Sequence, residues 1–313
     1  MQEVSVLEIA VSVAAAVVLF VYALKGFSED VQTAGGEALK SVLARLTRTP
    51  VGGFALGAVL TALVQSSSAI SGITVALAEA GTIAFRGTLP VFLGANVGTT
   101  STAWLVTINA TILAPILIVA SVVASLLPGR IALYGRSIMY LGVILLALNL
   151  ISGYVAPLKD DPDVALWMGY LSNPVAGFVA GAIATALLQS SSVVVGLAII
   201  AVQQELITMY DVLPIVVGSN IGTTSTALIA SMSLGATARA AAVANLAFNA
   251  LGVIVFVPFM APVASWVSAM AGEGDMAVAL IHLIFNVCVA VTGFVALRPL
   301  AKRLDPDETT AKP

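Results

Sequence analysis

Two clusters of neutral polar residues interrupt long apolar stretches of the chain: Gln65-Ser66-Ser67-Ser68 and Gln189-Ser190-Ser191-Ser192. Hydroxyl and amide donors gathered at a turn can hold an oxyanion, and their oxygens can ligate a hard cation. Each glutamine is followed 31 residues later by an asparagine. Those asparagines sit in Gly94-Ala95-Asn96-Val97-Gly98-Thr99-Thr100-Ser101-Thr102 and Gly218-Ser219-Asn220-Ile221-Gly222-Thr223-Thr224-Ser225-Thr226. Glycines flanking an asparagine near mid-span predict a locally unwound helix. Carbonyls freed there, with Asn, Thr and Ser oxygens, suit a small alkali cation. Amides freed at the start of a half-helix suit an anion. Close helix packing also recruits Ser and Thr. A glutamine at mid-membrane is rarer, because a primary amide needs several partners there, and packing alone does not predict that both clusters recur as a set.

The elements that must position these residues are set by composition. Of 313 residues, 59% are hydrophobic and 9% charged, with a mean hydropathy of +1.06. A soluble domain carries roughly 25% charged residues, so this is a polytopic helical membrane protein with the lipid bilayer as its solvent. Thirteen Lys/Arg against 16 Asp/Glu leave no basic surface for nucleic acid. The single cysteine, Cys288, and single histidine, His282, exclude a disulfide framework and a multi-Cys or two-His metal motif. No cofactor is expected. His282 lies in Ile281-His282-Leu283-Ile284-Phe285-Asn286, which echoes Asn245-Leu246-Ala247-Phe248-Asn249, and a packing or hydrogen-bonding role is expected for it. A serine hydrolase would need such a base beside its nucleophile, but the chain has no Gly-x-Ser-x-Gly elbow. No Asp, Glu, Lys or Arg is expected at mid-depth, which argues against a proton relay.

Apolar runs predict spans at 6–27, 88–108, 111–127, 131–156, 212–231, 240–258 and 276–297. The first lacks a basic leader and reads as a retained helix rather than a cleaved signal. The stretches 51–80 and 174–205 are each broken at the centre by a Gln-Ser-Ser-Ser cluster, and each is predicted to enter the membrane to mid-depth and return. Such backbone is tolerated where protein or a water-filled cavity surrounds it. Residues 28–50 read as an amphipathic helix on the cytoplasmic surface, and 301–313 as a disordered cytoplasmic tail.

A shift of 124 residues lays 50–104 on 174–228 without a gap, with 25 identities in 55 positions. The expected architecture is therefore all-α, with repeat 1 over 1–127, repeat 2 over 128–258 and an extra transmembrane helix in 259–300. Each repeat holds a re-entrant hairpin and a discontinuous helix. Three crossings per repeat invert the second copy. With 28–50 cytoplasmic, twelve of the 13 Lys/Arg fall inside and only Lys159 outside, a strong positive-inside bias. The expected placement is a cell (plasma or inner) membrane, N-terminus outside and C-terminus cytoplasmic, with the two polar hairpin tips meeting near the midplane.

Duplicated Gln-Ser-Ser-Ser hairpins, each followed by Gly-x-Asn-x-Gly-Thr-Thr, with a later His-Leu-x-Phe-Asn, resemble the type II sodium–phosphate cotransporter family over about residues 6–300. The resemblance implies sodium-driven import of inorganic phosphate, with Na+ as the co-transported ion. It implies that Ser66, Ser67, Ser68, Ser190, Ser191 and Ser192 contact phosphate together with Gln65 and Gln189. It also implies sodium ligands among Gln65, Ser68, Asn96, Thr99, Thr100, Gln189, Ser192, Asn220, Thr223 and Thr224. Electrogenic members carry an Asp after the first Gly-x-Asn-x-Gly-Thr-Thr cluster, but Trp104 to Pro115 holds no acid, so near-electroneutral transport is expected. Another small anion, sulfate or a dicarboxylate, is the alternative cargo.

Overall fold

The computed structural model describes residues 6–108, 111–127 and 130–304, and the regular structure among them is helical. The helices are α1 (Val6–Leu46), α2 (Pro50–Val64), α3 (Ser67–Glu79), α4 (Phe85–Thr99), α5 (Ser101–Thr107), α6 (Leu113–Leu126) and α7 (Arg130–Val155). They continue with α8 (Pro162–Leu171), α9 (Pro174–Leu188), α10 (Ser191–Gln203), α11 (Met209–Ser231), α12 (Ala236–Phe256), α13 (Met260–Ala271) and α14 (Asp275–Leu304). Among the described residues, five stretches, Leu7–Leu46, Tyr134–Asp160, Met209–Ile229, Ala236–Ala271 and Asp275–Leu297, are long and apolar enough to cross a membrane. The protein is an all-helical membrane protein.

Corresponding helices of the two halves share their local chemistry. α2 and α9 both start on proline after a capping side chain, Thr49 or Asn173, and both end on a glutamine in the left-handed region. α2 packs along α4, and α9 along α11. The glycines of the second polar clusters make these contacts possible. A Cβ on Gly94 would lie 1.9 Å from the Phe54 carbonyl oxygen, and one on Gly218 would lie 2.0 Å from that of Phe178. A large apolar core joins α1, α7, α10, α11 and α14 through Phe20, Ile144, Ile199 and Phe285, and a second joins α4 to α12 through Leu89, Phe92 and Phe248.

The structure departs from the sequence expectations at four places. First, the glycine clusters are not sites of unwinding. α11 runs unbroken through Gly218–Thr226, and the first copy breaks at Thr100, beyond the glycines. Glycine is used here for close backbone approach, which costs helix propensity without requiring a break. Second, no helix boundary falls at residue 28. α1 continues past it to a non-helical Gly36 (φ 40°) and on to Leu46. Asp30, nearly buried, accepts from Arg136 (3.1 Å) and from the Ser137 hydroxyl, which holds this part of α1 against α7. Third, the 157–172 connection contains α8, bent 94° from α9. Fourth, the tail begins as the end of α14, which reaches Leu304. Residues 305–313 lie outside the described ones.

Candidate functional site

The turn between α2 and α3 consists of Gln65 (φ 57°, ψ 27°) and the extended Ser66; Gln189 (φ 55°, ψ 26°) and Ser190 repeat it between α9 and α10. Left-handed backbone at a residue other than glycine is uncommon and tends to mark sites. It ends one helix abruptly and frees the next residue to cap the following one. The Ser66 Oγ accepts from the Ala69 amide (3.2 Å) and the Ser190 Oγ from the Val193 amide (3.4 Å). Each capping serine keeps its hydroxyl proton for a ligand. The first-turn amides behind it, at Ser67 and Ser68 and at Ser191 and Ser192, have no carbonyl partner within their helices.

Both turns open into one cavity of about 210 Å³. Its wall includes Gln65, all three serines of the first triplet, Gln189, all three of the second, and Thr223 and Thr226 of α11. Two helix N-termini from sequence positions 124 residues apart thus face one space. Each contributes roughly +0.5 of partial charge, which favours an anion between them.

Not every cation-ligand candidate reaches this wall. Asn96 instead borders a small neighbouring pocket with Ser67, Ser68, Ser71, Thr223 and Asn245. Asn220 is buried behind it, and the Nδ2 groups of Asn96 and Asn220 both donate to the Asn249 Oδ1, at 3.0 and 2.7 Å. Asn249 in turn donates to the Asn245 carbonyl and side-chain oxygens. Thr99, Thr100 and Thr224 lie off the cavity and donate to carbonyls of their own helices, Ala95, Val97 and Ile221. Thr223 donates likewise to Ser219 while lining the cavity.

Several residues that build the site carry weaker sequence signals. Gln65 donates to the Ser101 Oγ (2.9 Å) and accepts from the Thr102 hydroxyl (2.7 Å), which also lies 3.2 Å from the Ser192 Oγ. Thr102 therefore links Gln65 of the first cluster to the second serine triplet. Asn249 is legible only as half of an i, i+4 asparagine pair in an apolar span. Lys25, Ser28, Glu29 and Gln32 of α1 also line the cavity. Their spacing is that of one helical face, but the charges assign 28–50 to a surface helix when read alone. His282 is buried on α14, and its Nδ1 and the Asn286 Oδ1 have no hydrogen-bond partner.

Comparison with known proteins gives a consistent result. The model of the family described as Na+/Pi-cotransporter matches residues 19–153 and 164–284. The chain is 30% identical to "Uncharacterized protein YqeW" of Bacillus subtilis over 95% of its own length and 97% of that protein's. It is 29% identical to "Putative inorganic phosphate export protein YjbB" of Salmonella typhimurium over 94% of its own length, but spans about half of that protein (55%). A shorter match, 40% identical over 97 residues, covers 29% of this chain and 15% of "Sodium-dependent phosphate transport protein 2A" of Ovis aries. No solved structure matches the chain.

Proposed function

The chain belongs to the Na+/Pi-cotransporter family of phosphate transporters, and from that premise we propose that it is a sodium-coupled symporter importing inorganic phosphate by alternating access. The observation that carries this is the single cavity lined by both Gln-Ser-Ser-Ser turns. In the proposed site the hydroxyls and first-turn amides of Ser66–Ser68 and Ser190–Ser192 donate to the phosphate oxygens. Gln65 and Gln189 bridge anion and cation through their two-sided amides. Oxygens of Ser68, Ser192, Asn96, Asn220 and Thr223 supply sodium with hard neutral ligands.

Two inverted repeats (1–127 and 128–258) with re-entrant hairpins are part of the same proposal. So is a cell-membrane placement with the N-terminus outside and the C-terminus cytoplasmic, which follows the positive-inside bias. The cavity extends along α1 from Val21 to Gln32, about 17 Å at the helical rise, toward the end that this topology makes cytoplasmic.

Charge sets the stoichiometry. A phosphate dianion in a low-dielectric site must be neutralised. The formal charges on the cavity wall, Lys25 and Glu29, cancel. Helix-terminal partial charges are too small to balance two negative ones, so two sodium ions per divalent phosphate give a near-neutral loaded state.

Purified protein in liposomes is expected to accumulate labelled phosphate under an inward sodium gradient and not under a potassium gradient. Arsenate should compete, whereas sulfate and succinate should not. Equal uptake without sodium would contradict the coupling. Strong acceleration by an inside-negative potential would contradict electroneutrality. The YjbB relatives, named as phosphate export proteins, favour export as a second reading; phosphate efflux from loaded liposomes that ignores the sodium gradient would support it instead.

A further inference from the structure

A second cavity, of about 760 Å³, lies where the end of α1, the start of α2 and the start of α4 meet. Arg45, Arg48 and Arg86 line it, with Ser41, Thr47 and Thr82 among the polar groups, and among the described residues no acidic side chain does. Positive-inside bias explains why arginines lie on one side of a membrane. It does not explain why Arg45 and Arg48 at the α1–α2 junction converge with Arg86 of α4 on one cavity whose described lining holds no acid. Among the described residues, neither Arg45 nor Arg48 is paired with a carboxylate.

The framework is firm. A Cβ on Gly87 would lie 3.0 Å from the Thr47 carbonyl oxygen, so α4 begins in close contact with the end of α1. The α4 N-terminus at this cavity has Ala84 as its cap residue, with no side-chain hydrogen bond to the first turn. Next in sequence to the lining residues Arg45 and Pro50, Leu46 is 44% and Val51 74% exposed. Clustered guanidinium groups fit phosphate oxygens bidentately. An exposed apolar margin beside them fits acyl chains and has no use for a free ion.

We propose that this cavity binds the phosphate headgroup of an anionic phospholipid, with Arg45 and Arg48 pairing the phosphate, Arg86 beside it and the chains lying along Leu46 and Val51. The chemistry it shares with inorganic phosphate is the phosphate group itself, and the two sources separate experimentally.

The test is native mass spectrometry of the detergent-purified chain after incubation with equal phosphatidylglycerol and phosphatidylcholine, without sodium. Wild type should retain phosphatidylglycerol preferentially. At roughly 1 kcal/mol per basic side chain, R45A/R48A should weaken that retention about thirty-fold. R45K/R48K keeps the charge but not the bidentate geometry, so its retention should fall between wild type and the double alanine variant, and it gives a readout should the latter fail to fold. R239A, a basic residue outside the cavity, should behave as wild type. Equal losses in R45A/R48A and R239A, or no preference for phosphatidylglycerol, would overturn the site. Retention of inorganic phosphate with displacement of the lipid would overturn the lipid assignment. The readout involves no transport, so its failure leaves sodium coupling untouched.

Discussion

The two Gln-Ser-Ser-Ser turns have the same sequence and the same backbone, yet their glutamines live differently. Gln65 is half-buried and held by Ser101 and Thr102. Gln189 is exposed to the cavity and, among the described residues, makes no side-chain hydrogen bond. The equivalent residues do not pair with it: the Ser225 hydroxyl donates to the Gly222 carbonyl, and among the described residues the buried Thr226 Oγ1 has no partner. The difference traces to the helix carrying these groups. A break at Thr100 re-aims Ser101 and Thr102, whereas α11 is continuous. Identical motifs in two copies thus occupy two local states.

The largest expected effects fall where the copies agree. Gly94→Ala and Gly218→Ala should each destabilise by about 3 kcal/mol, because the added methyl meets backbone that cannot rotate away. Matched losses of thermal stability in detergent would confirm that both glycines serve packing; a mild effect at Gly218 alone would separate the copies. Asn249→Leu comes next, at about 2 kcal/mol, since it leaves the Asn96 and Asn220 amides unpaired together. Asn96→Ala or Asn220→Ala alone should cost less in the same measurement.

Thr102→Val should cost about 1 kcal/mol through the loss of the Gln65 and Ser192 contacts, while Thr226→Val should be neutral or slightly stabilising because its hydroxyl is unpartnered. If the copies exchange states during transport, Thr226→Val should nevertheless slow phosphate uptake. Unchanged uptake would exclude the exchange.

The smallest effect is at Glu205, which has φ 56° where the first copy has Gly81 at φ 70°. Glu205→Gly should leave the melting temperature unchanged or raise it, and Glu205→Val should lower it. The hydrogen bond and charge of Lys159 hold the Glu205 carboxyl below its usual range, and those of Glu205 raise the Lys159 amine. This ion pair stabilises above the unfolded carboxylate pKa and is lost as pH falls through the depressed one. Both side chains are exposed, so the pH dependence should be slight.

The helix ends on either side of each Gln-Ser-Ser-Ser break are legible because their chemistry is local. Proline starts, Gln-Ser breaks and the ungapped 124-residue shift place α2, α3, α9 and α10 within a few residues of their observed ends. What the sequence hides is set by partners far along the chain. Gly-Asn-Gly reads equally as unwinding or as close contact until Phe54 and Phe178 are seen against the glycines. The 28/29/32 stripe reads as part of a surface helix until Asp30 is found docked on α7. Asn249 gives no sign that it joins asparagines 153 and 29 residues away.

The central claim is that both copies contribute to one phosphate site. Its most direct test is sodium-dependent binding of phosphate to the purified wild type, Ser67→Ala, Ser191→Ala and the double variant by titration calorimetry. The account predicts one phosphate per chain in the wild type. Either substitution should weaken that same site by ~0.5–3 kcal/mol, the range for hydrogen bonds with charged acceptors at its upper end. The double variant should be non-additive, because contacting groups couple through their shared ligand. Two phosphates per chain, with either substitution abolishing one and sparing the other, would contradict it.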